Sequence, residues 1–506
     1  MPSSLVSCRR VATLTASLLL VPALAACGDD DAPSGASGQS GAGSSGHAGQ
    51  AGGSGGVAGK GVSGGPGGAS VGGAGIAGST GGAGQGGAVT GGTGGSASGA
   101  GGSLADAGAG GASGAGSSVA GAAGVAGAGS LDDVIAAMPP GSWKELPGTD
   151  LAKVCPPGNH YPCDAVVSAW SGGALDDVHD RLVVFGGGHG DSPYNNLFTF
   201  DLHDGVWKRW TDLPAGMTGD SIPAIYQDKR VESCGLYPAV SALQIPDAWL
   251  TPTGYLDPAR CDDPSIVPQL DPQQPRSTHT YGNVAFSAAT GRFYNLGSVA
   301  MYPSGQARAN RLLGFDFTTG LWVRGKDSPE SGYGTSATDD KGLVWYVGQD
   351  GGHLTHYDPA ADAWTKHGAS ASGFYYAGGA VDTKRRHFVL TRDGSTVTVY
   401  DLAQPDKDPA KVTTSGLATA LAQAPGFEAV PSLDRLVAWS GGRTLHWLDP
   451  ATWTWTSVEG TGDDPGPSAM NGTFGRFRHS PKRGVFVVVN EASKNVSLYK
   501  LPAAAP

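Results

Sequence analysis

Four side chains in the C-terminal part of the sequence could carry proton-transfer and charge-neutralising chemistry. His189 lies in a Gly-rich stretch, and Arg276, His279 and Tyr281 lie within one six-residue run. β-Elimination of an acidic polysaccharide needs a cation to neutralise the uronate, a base for the α-proton and an acid for the leaving oxygen. Arg276 would supply the cation and Tyr281 the acid, and either His189 or His279 would supply the base. The structural alternative for His189 is a hydrogen bond to a neighbouring backbone carbonyl.

Aromatic and polar side chains near these four are candidates for ligand binding. A ring of aromatic and hydrogen-bonding groups suits stacking against sugar rings. The alternative, which the sequence favours for most of the aromatic residues, is that they fill a narrow channel as core. The binding candidates are Asp191, Tyr194, Asn195, Tyr333, Tyr376, Phe427 and Arg476.

Other chemistries have less support in the sequence. Glycoside hydrolysis requires paired carboxylates, for which Glu428 and Asp393 are the candidates by position. His160, His353, His356 and His446 are scattered without metal-ligand spacing, so no metal site and no cofactor are predicted. Ca²⁺ can be held by backbone carbonyls that leave no sequence trace, so calcium stays an open alternative.

The elements that must position these residues follow a repeat. In each repeat an aromatic or aliphatic residue is followed directly by an Asp, and a Trp stands six residues after that Asp. The matches are Phe200-Asp201 with Trp207, Phe315-Asp316 with Trp322, Tyr357-Asp358 with Trp364, and Leu448-Asp449 with Trp455. The Asp residues at positions 316, 358, 401 and 449 are 42, 43 and 48 residues apart. This period, with several short strands in each repeat, is typical of a β-propeller blade. The Trp is expected to pack between blades and the Asp to cap a turn.

The sequence predicts six blades in an all-β domain. In the first blade, strands are predicted over 165–173, 181–185, 196–201 and 206–211, with a turn at 176–180. Further units begin near residues 281, 333, 375, 427 and 474. The fourth unit is degenerate because Lys407 stands near the position of the expected Trp. The last unit, 471–501, supplies three strands, so the segment around Trp143 (142–146) is predicted to add the outer strand and close the ring.

The propeller architecture predicts where the candidate residues meet. In a propeller, the loops from the second to the third strand and from each outer strand to the next inner strand emerge on one face. The loop 186–196 carries His189, and the connection from about 212 to 278 ends just before His279. We therefore expect the four catalytic candidates around one pocket on this face. The long connection contains two cysteines and is typical of a lid or binding loop.

The first unit carries a motif that resembles a kelch repeat: Leu182-Val183-Val184-Phe185-Gly186-Gly187-Gly188, then 197–202, then Trp207. Partial matches are Gly351-Gly352 with Tyr357 and Trp364, and Gly441-Gly442 with Trp447 and Trp455. The resemblance covers most of residues 165–501. It implies a kelch-type or galactose-oxidase-like propeller, a fold that enzymes and binding modules share.

The resemblance bears on two enzyme classes. Copper-radical oxidation, as in galactose oxidase, needs a Cys crosslinked to a Tyr and two His ligands, and it is disfavoured because the four cysteines of the domain are expected in disulfides. Some propeller polysaccharide lyases, such as ulvan lyases, are similar in using His, Tyr and Arg. Their motifs do not align with this sequence, so no residue is carried over.

The N-terminal residues predict export and anchoring. Residues 1–26 fit a signal peptide, in which Arg9-Arg10 precedes a short apolar stretch. Leu24-Ala25-Ala26-Cys27 resembles the lipobox of bacterial lipoproteins, which implies lipidation of Cys27, attachment to a membrane through lipid alone and, with Gly28 next, the outer membrane. Ordinary secretion is the alternative. Residues 27–130 are rich in Gly, Ala and Ser and are predicted to form a disordered tether before a domain at 131–506.

Cysteine content and charge narrow the choice of partners. Disulfides are expected between Cys155 and Cys163 and between Cys234 and Cys261, because the chain is exported and each pair is close in sequence. The net charge of −11 argues against nucleic acid. We therefore expect a monomeric lipoprotein whose propeller binds a polysaccharide or a surface protein through its loop-rich face. A polysaccharide lyase that uses the same face is the alternative, so the sequence leaves open whether the protein is an enzyme.

Overall fold

The structure is a computed structural model that describes residues 130–156, 163–188, 192–212, 223–297, 299–303, 310–330, 333–348, 352–370 and 376–506. Several of the predictions above lie outside these residues. They are the signal peptide, most of the tether, and the roles of Cys27, His189 and Asp191.

The described chain forms six blades, each a four-stranded antiparallel sheet. From inner to outer strand, blade 1 comprises Gly172–Asp176, Arg181–Phe185, Phe198–Asp201 and Trp207–Arg209; blade 2 comprises Val284–Ser287, Arg292–Asn295, Leu313–Asp316 and Leu321–Arg324; and blade 3 comprises Gly334–Thr338, Val344–Gly348, His353–Asp358 and Ala363–Ser370. Blade 4 comprises Gly378–Asp382, His387–Thr391, Thr396–Asp401 and Ala410–Thr413; blade 5 comprises Gly426–Val430, Arg435–Trp439, Thr444–Asp449 and Thr454–Glu459; and blade 6 comprises Phe477–Ser480, Val485–Val488, Ser497–Lys500 and Ser142–Glu145.

The remaining elements are short. Two small sheets pair Leu236–Pro238 with Leu270–Pro275 and Thr278–His279 with Val299–Met301, and Thr461–Gly462 adds to the edge of blade 6. The α-helices are Leu131–Ala137 and Ala165–Ser168. The 3₁₀ helices are Leu151–Val154, Ala224–Gln227, Lys229–Cys234, Asp247–Trp249, Pro258–Arg260, Val267–Gln269, Pro431–Leu433 and Phe474–Arg476. None of the helices in the described residues combines the length and the apolar character that crossing a bilayer requires.

The blades close into a ring, as the sequence predicts. Each inner strand contacts the inner strand of the next blade, and that of blade 6 contacts that of blade 1. Ser142–Glu145 pairs antiparallel with Ser497–Lys500, with Trp143 opposite Tyr499. The N-terminal strand therefore supplies the outer strand of the last blade, and the predicted all-β, six-bladed fold is confirmed.

The propeller has two faces, which the chain direction defines. Inner strands start on the face that carries the second-to-third-strand loops and the connections between blades, called the loop face below. They end on the face that carries the first-to-second and third-to-outer turns, called the turn face. The helix Leu131–Ala137 lies on the turn face, because Asp132 is paired with Arg483 in a first-to-second turn and lies 3.7 Å from His203 in a third-to-outer turn.

The repeated Asp and Trp have the structural roles that their spacing predicts. Asp201, Asp316, Asp358, Asp401 and Asp449 each accept a backbone N–H from the turn that follows the third strand. The outer-strand Trp residues pack between blades.

In four blades, the indole Nε1 of the outer-strand Trp donates to a carbonyl outside its own blade. These bonds join Trp143 to Arg443, Trp207 to Thr149, Trp364 to Lys326 and Trp455 to Gly394.

The predicted first inner strand, 165–173, is wrong in its position. Ala165–Ser168 is a short helix whose Val166 and Val167 are buried, and the strand runs from Gly172 to Asp176. Blade 2 lies close to the start of the observed strand. A Cβ on Gly172 would collide with the carbonyl oxygen of Tyr281, so this position requires glycine.

The long connection between blades 1 and 2 is packed rather than extended into solvent over its described part, 223–278. Its Val231, Leu256 and Ile266 are fully buried in a cluster shared with both blades. The predicted disulfides Cys155–Cys163 and Cys234–Cys261 are both present. The second of them staples this connection internally.

Candidate functional site

One position recurs at the start of every inner strand, on the loop face. From blade 1 to blade 6 it is occupied by Trp170, Tyr281, Tyr333, Tyr376, Ala424 and Phe474. We call these six residues the aromatic mouth. Backbone hydrogen bonds link its neighbours, from Tyr281 N to Trp170 O (2.7 Å), from Ala424 N to Tyr376 O (3.1 Å) and from Phe474 N to Ala424 O (3.3 Å).

The backbone of the aromatic mouth is strained. Trp170, Tyr281, Tyr376, Ala424 and Phe474 have φ angles between 45° and 64°. L-residues with bulky side chains rarely adopt this left-handed region, which costs about 1–2 kcal/mol per residue. Strain that recurs at one place in the fold is typical of a functional site, because the surrounding structure must maintain it.

Tyr281 is the centre of the aromatic mouth. Its ring meets Tyr333 at 4.6 Å, Phe474 at 5.4 Å and Tyr376 at 5.8 Å between centroids, always edge to face. The Trp170 indole donates a hydrogen bond to the Tyr376 hydroxyl. Tyr281 and Phe474 are buried, whereas Trp170, Tyr333 and Tyr376 are partly exposed. The result is a rigid aromatic surface with a buried centre and three accessible rings.

His279 lies against two rings of the aromatic mouth. It is buried, and its imidazole is 4.7 Å from the Trp170 ring and 5.8 Å from the Tyr281 ring. The structure therefore brings together two of the four catalytic candidates, His279 and Tyr281, with two binding candidates, Tyr333 and Tyr376.

Arg276 binds the inter-blade connection instead of facing solvent. It is 1 % exposed and donates to the carbonyls of Asp228 (2.8 Å), Leu236 (3.1 Å) and Tyr302 (3.1 Å). Its guanidinium also lies over the ring of Tyr237, at 4.7 Å. Burial lowers the pKa of the Arg276 guanidinium. In this arrangement Arg276 holds the connection in place and is not open to a uronate.

Arg476 has the same character in blade 6. It is fully buried and donates to the carbonyls of Gly472 (2.6 Å), Val489 (2.7 Å) and Ser171 (2.8 Å). Burial lowers its pKa to about 9. Because Ser171 belongs to the entry of blade 1, Arg476 ties the last blade to the first and takes a structural role here.

Three further binding candidates lie in the interior. Tyr194, Asn195 and Phe427 are at most 3 % exposed. The Asn195 amide donates to the side chain of Gln274 (2.9 Å) and to the carbonyl of Pro275 (2.6 Å). These side chains pack the domain and offer no surface to a ligand in this structure.

Trp170 is the residue of the mouth that the sequence interpretation missed. The signal was present, since an aromatic residue stands one to three positions before the inner strand in four other blades. The incorrect strand at 165–173 placed Trp170 inside a strand and hid this correspondence.

The carboxylates proposed for glycoside hydrolysis do not share a site. Glu428 lines a cavity that opens towards the turn face. Asp393 lies in the hairpin between the second and third strands of blade 4, where it accepts hydrogen bonds from Ser395. In the described part of the chain, no group of three or more His, Cys, Asp or Glu side chains could hold a metal ion.

Comparison with known proteins gives no family for this chain. No protein-family model matches the chain, and no curated protein sequence matches it either. Among solved structures the chain is similar to a gluconolactonase from Xanthomonas campestris, with 11 % identity, a TM-score of 0.38, and coverage of 72 % of this chain and 99 % of that chain. A likeness this distant says nothing about substrate or activity. The fold and the aromatic mouth define the chain as a six-bladed β-propeller with an aromatic loop face.

Proposed function

We propose that this protein is a lipid-anchored, exported binding protein whose propeller takes a glycan on the aromatic mouth. The observation that carries the proposal is the set of three partly exposed rings, Trp170, Tyr333 and Tyr376, fixed around a buried aromatic centre. Sugar rings present apolar C–H faces that stack on aromatic rings, and rigid rings lose little conformational entropy on binding. A glycan is favoured over a protein partner because the accessible rings surround the propeller axis and do not form a broad apolar patch.

Chain topology supports an outward presentation of this site. The segment that connects the propeller to the Gly-rich stretch, Leu131–Ala137, lies on the turn face, as the pairing of Asp132 with Arg483 indicates. The aromatic mouth lies on the opposite face. A tether that joins the turn face would leave the mouth clear of the point of attachment.

Binding of the purified full chain to a glycan panel tests the proposal, followed by calorimetry on each retained glycan. The panel includes neutral and uronate-containing polysaccharides. Tyr333→Ala is expected to weaken binding by about tenfold, which corresponds to about 1.4 kcal/mol of stacking. Tyr333→Phe keeps the ring and is expected to bind nearly as the wild type does.

Tyr255→Ala is the matched control, because Tyr255 is also partly exposed but lies in the connection between blades 1 and 2. It is expected to leave glycan affinity unchanged. Failure of every glycan to bind, or full affinity in Tyr333→Ala, would reject the aromatic mouth as the site. Release of ultraviolet-absorbing unsaturated product from a polyuronate would replace this function with the lyase alternative.

The anchor is tested separately. Labelled palmitate is expected to be incorporated by the wild-type chain in a bacterial host and not by Cys27→Ser. Incorporation by Cys27→Ser would contradict the anchoring residue and leave the glycan test unaffected.

A further inference from the structure

A cavity of about 460 Å³ lies in the propeller centre towards the turn face, away from the aromatic mouth. All six inner strands or the turns that follow them contribute to its wall. Beside Phe427 and Phe474 the free space shrinks to about 10 Å³. The channel is therefore wide at the turn face and nearly closed beneath the aromatic mouth. Its volume lies in the range of small-ligand pockets.

Small side chains on the inner strands create this space. The wall contains Ala174, Ala285, Ala337, Gly379, Ala380 and Ala429. Their methyl groups, together with the side chains of Leu175, Val284 and Val381, provide the apolar part of the wall. An apolar wall of this kind accommodates a hydrocarbon body by burying its surface.

The polar part of the wall includes an ion pair between Glu428 and Arg478. Arg478 donates to Glu428 and also to the carbonyls of Gly173 (2.8 Å) and Gly475 (2.9 Å). These hydrogen bonds hold the Arg478 guanidinium in the cavity wall and use its donors. The Glu428 side chain is 17 % exposed, and Arg478 is its hydrogen-bond donor among the described residues. Glu428 can therefore accept a further donor from the cavity.

The charges around the cavity favour a cation. Its lining includes the carboxyl groups of Asp177, Asp339, Asp340 and Glu428, against the single guanidinium of Arg478. Arg386 is paired with Asp339 (3.3 Å) and Asp340 (2.9 Å). The four carboxylates, counted against Arg478 and Arg386, leave an excess of two negative charges among these six groups. An anion would meet repulsion here, whereas a cation would be attracted.

We propose that this cavity, called the turn-face cavity, binds an organic cation with a small apolar body, such as an alkylammonium ion. The ammonium group donates to the Glu428 carboxylate, and the hydrocarbon lies against the alanine-lined wall. This site is independent of the aromatic mouth, so the two proposals can fail separately.

Titration of the full chain with n-butylammonium, followed by calorimetry, tests this proposal. Saturable binding of one equivalent is expected, with a Kd on the order of 1 mM for so small a ligand. Butyrate, which has a similar body and the opposite charge, is expected not to bind in the same concentration range. Equal binding of butyrate, or no saturable binding of butylammonium, would overturn the proposal.

Two variants locate the site. Glu428→Gln is expected to weaken butylammonium binding at least tenfold, and Ala429→Leu is expected to abolish it by filling the cavity from a partly exposed position on the wall. Glu459→Gln is the control, since that carboxylate is paired with Arg443 on the outer strand of blade 5. Unchanged affinity in Ala429→Leu, with the fold intact by circular dichroism, would place the cation elsewhere and reject the turn-face cavity.

Discussion

Among the single residues, Arg276 and Arg476 each join segments that are distant in the sequence. In the structure both donate to backbone carbonyls, which provide acceptors without an opposing charge. Buried polar groups need partners, and here the irregular segments of the chain supply them. The sequence contains no local sign of which carbonyls will converge on a guanidinium.

His479 gives the molecule a defined response to acid. It lies on the inner strand of blade 6, is 8 % exposed and stands 5.5 Å from the Phe486 ring. Burial lowers its pKa from 6.5 to about 4. As the pH falls, the unfolded chain binds a proton at this histidine near pH 6.5, whereas the folded chain binds it only near pH 4. The contribution of neutral His479 to the free energy of unfolding is therefore fully present above pH 6.5 and is lost as the pH falls to about 4.

We predict that His479 accounts for a loss of about 3 kcal/mol between pH 6.5 and 4, since one pKa unit is about 1.4 kcal/mol. Urea unfolding at a series of pH values measures this. His479→Gln should make the profile shallower over that interval, whatever its stability at pH 7; a slope remains because burial also lowers the pKa values of His356, His367 and His446. The exposed His203 provides the control, and His203→Gln should keep the wild-type profile. A wild-type slope in His479→Gln would contradict the assignment.

Among the secondary-structure elements, strands that are buried on both faces could be predicted from the sequence. The irregular segments that lead into the inner strands could not. The second strand of blade 1, Arg181–Phe185, has the predicted bounds. All five residues are buried, and a short continuous apolar run is the pattern expected of a strand that is covered on both faces. The entry at 165–171 has a similar apolar composition. There Ala165–Ser168 is a helix and the strand begins at Gly172, which packs against Tyr281 of blade 2, more than 100 positions away in the sequence.

The inter-blade tryptophan bonds lead to a paired prediction at this scale. Trp455 and Trp322 occupy equivalent outer-strand positions and are each 2 % exposed. The Trp455 indole donates to Gly394 O at 3.0 Å, whereas the Trp322 indole N–H has no hydrogen-bond partner among the described residues. Replacing each by Phe removes similar apolar volume but only one hydrogen bond.

We expect Trp455→Phe to be less stable than Trp322→Phe by about 1 kcal/mol, because it alone loses an indole hydrogen bond, while Gly394 O keeps the Thr414 hydroxyl as a donor. Chemical unfolding of both variants under the same conditions measures the difference. Equal losses in the two variants would show that the indole bond contributes nothing beyond packing.

For the whole molecule, the number of blades could be predicted from the repeats. Ring closure could be predicted because the last unit lacks its outer strand. The turn-face cavity could not be predicted. Its width depends on alanine and glycine positions on five of the six inner strands, from Ala174 to Ala429, and no local pattern indicates that they share one void. The aromatic mouth was predictable in part: Tyr281, Tyr333 and Tyr376 were candidates by their place before inner strands, whereas the incorrect strand at 165–173 hid Trp170.

Ring closure at Trp143 should control the stability of the entire propeller. Trp143 is 2 % exposed, its ring lies 5.1 Å from Tyr499 and 6.2 Å from Trp439, and its indole donates to Arg443 O. It therefore joins the N-terminal strand to blades 5 and 6 at once. Trp143→Ala should cost about 3–5 kcal/mol and should open a sheet edge that promotes aggregation. Scanning calorimetry with light scattering measures both effects.

Trp364→Ala is the matched control, because Trp364 stands on the outer strand of a blade made from contiguous chain and is partly exposed. It should lower the melting temperature less and leave the scattering at its wild-type level. Equal behaviour of the two variants would mean that the N-terminal strand is no more important for the ring than any other outer strand.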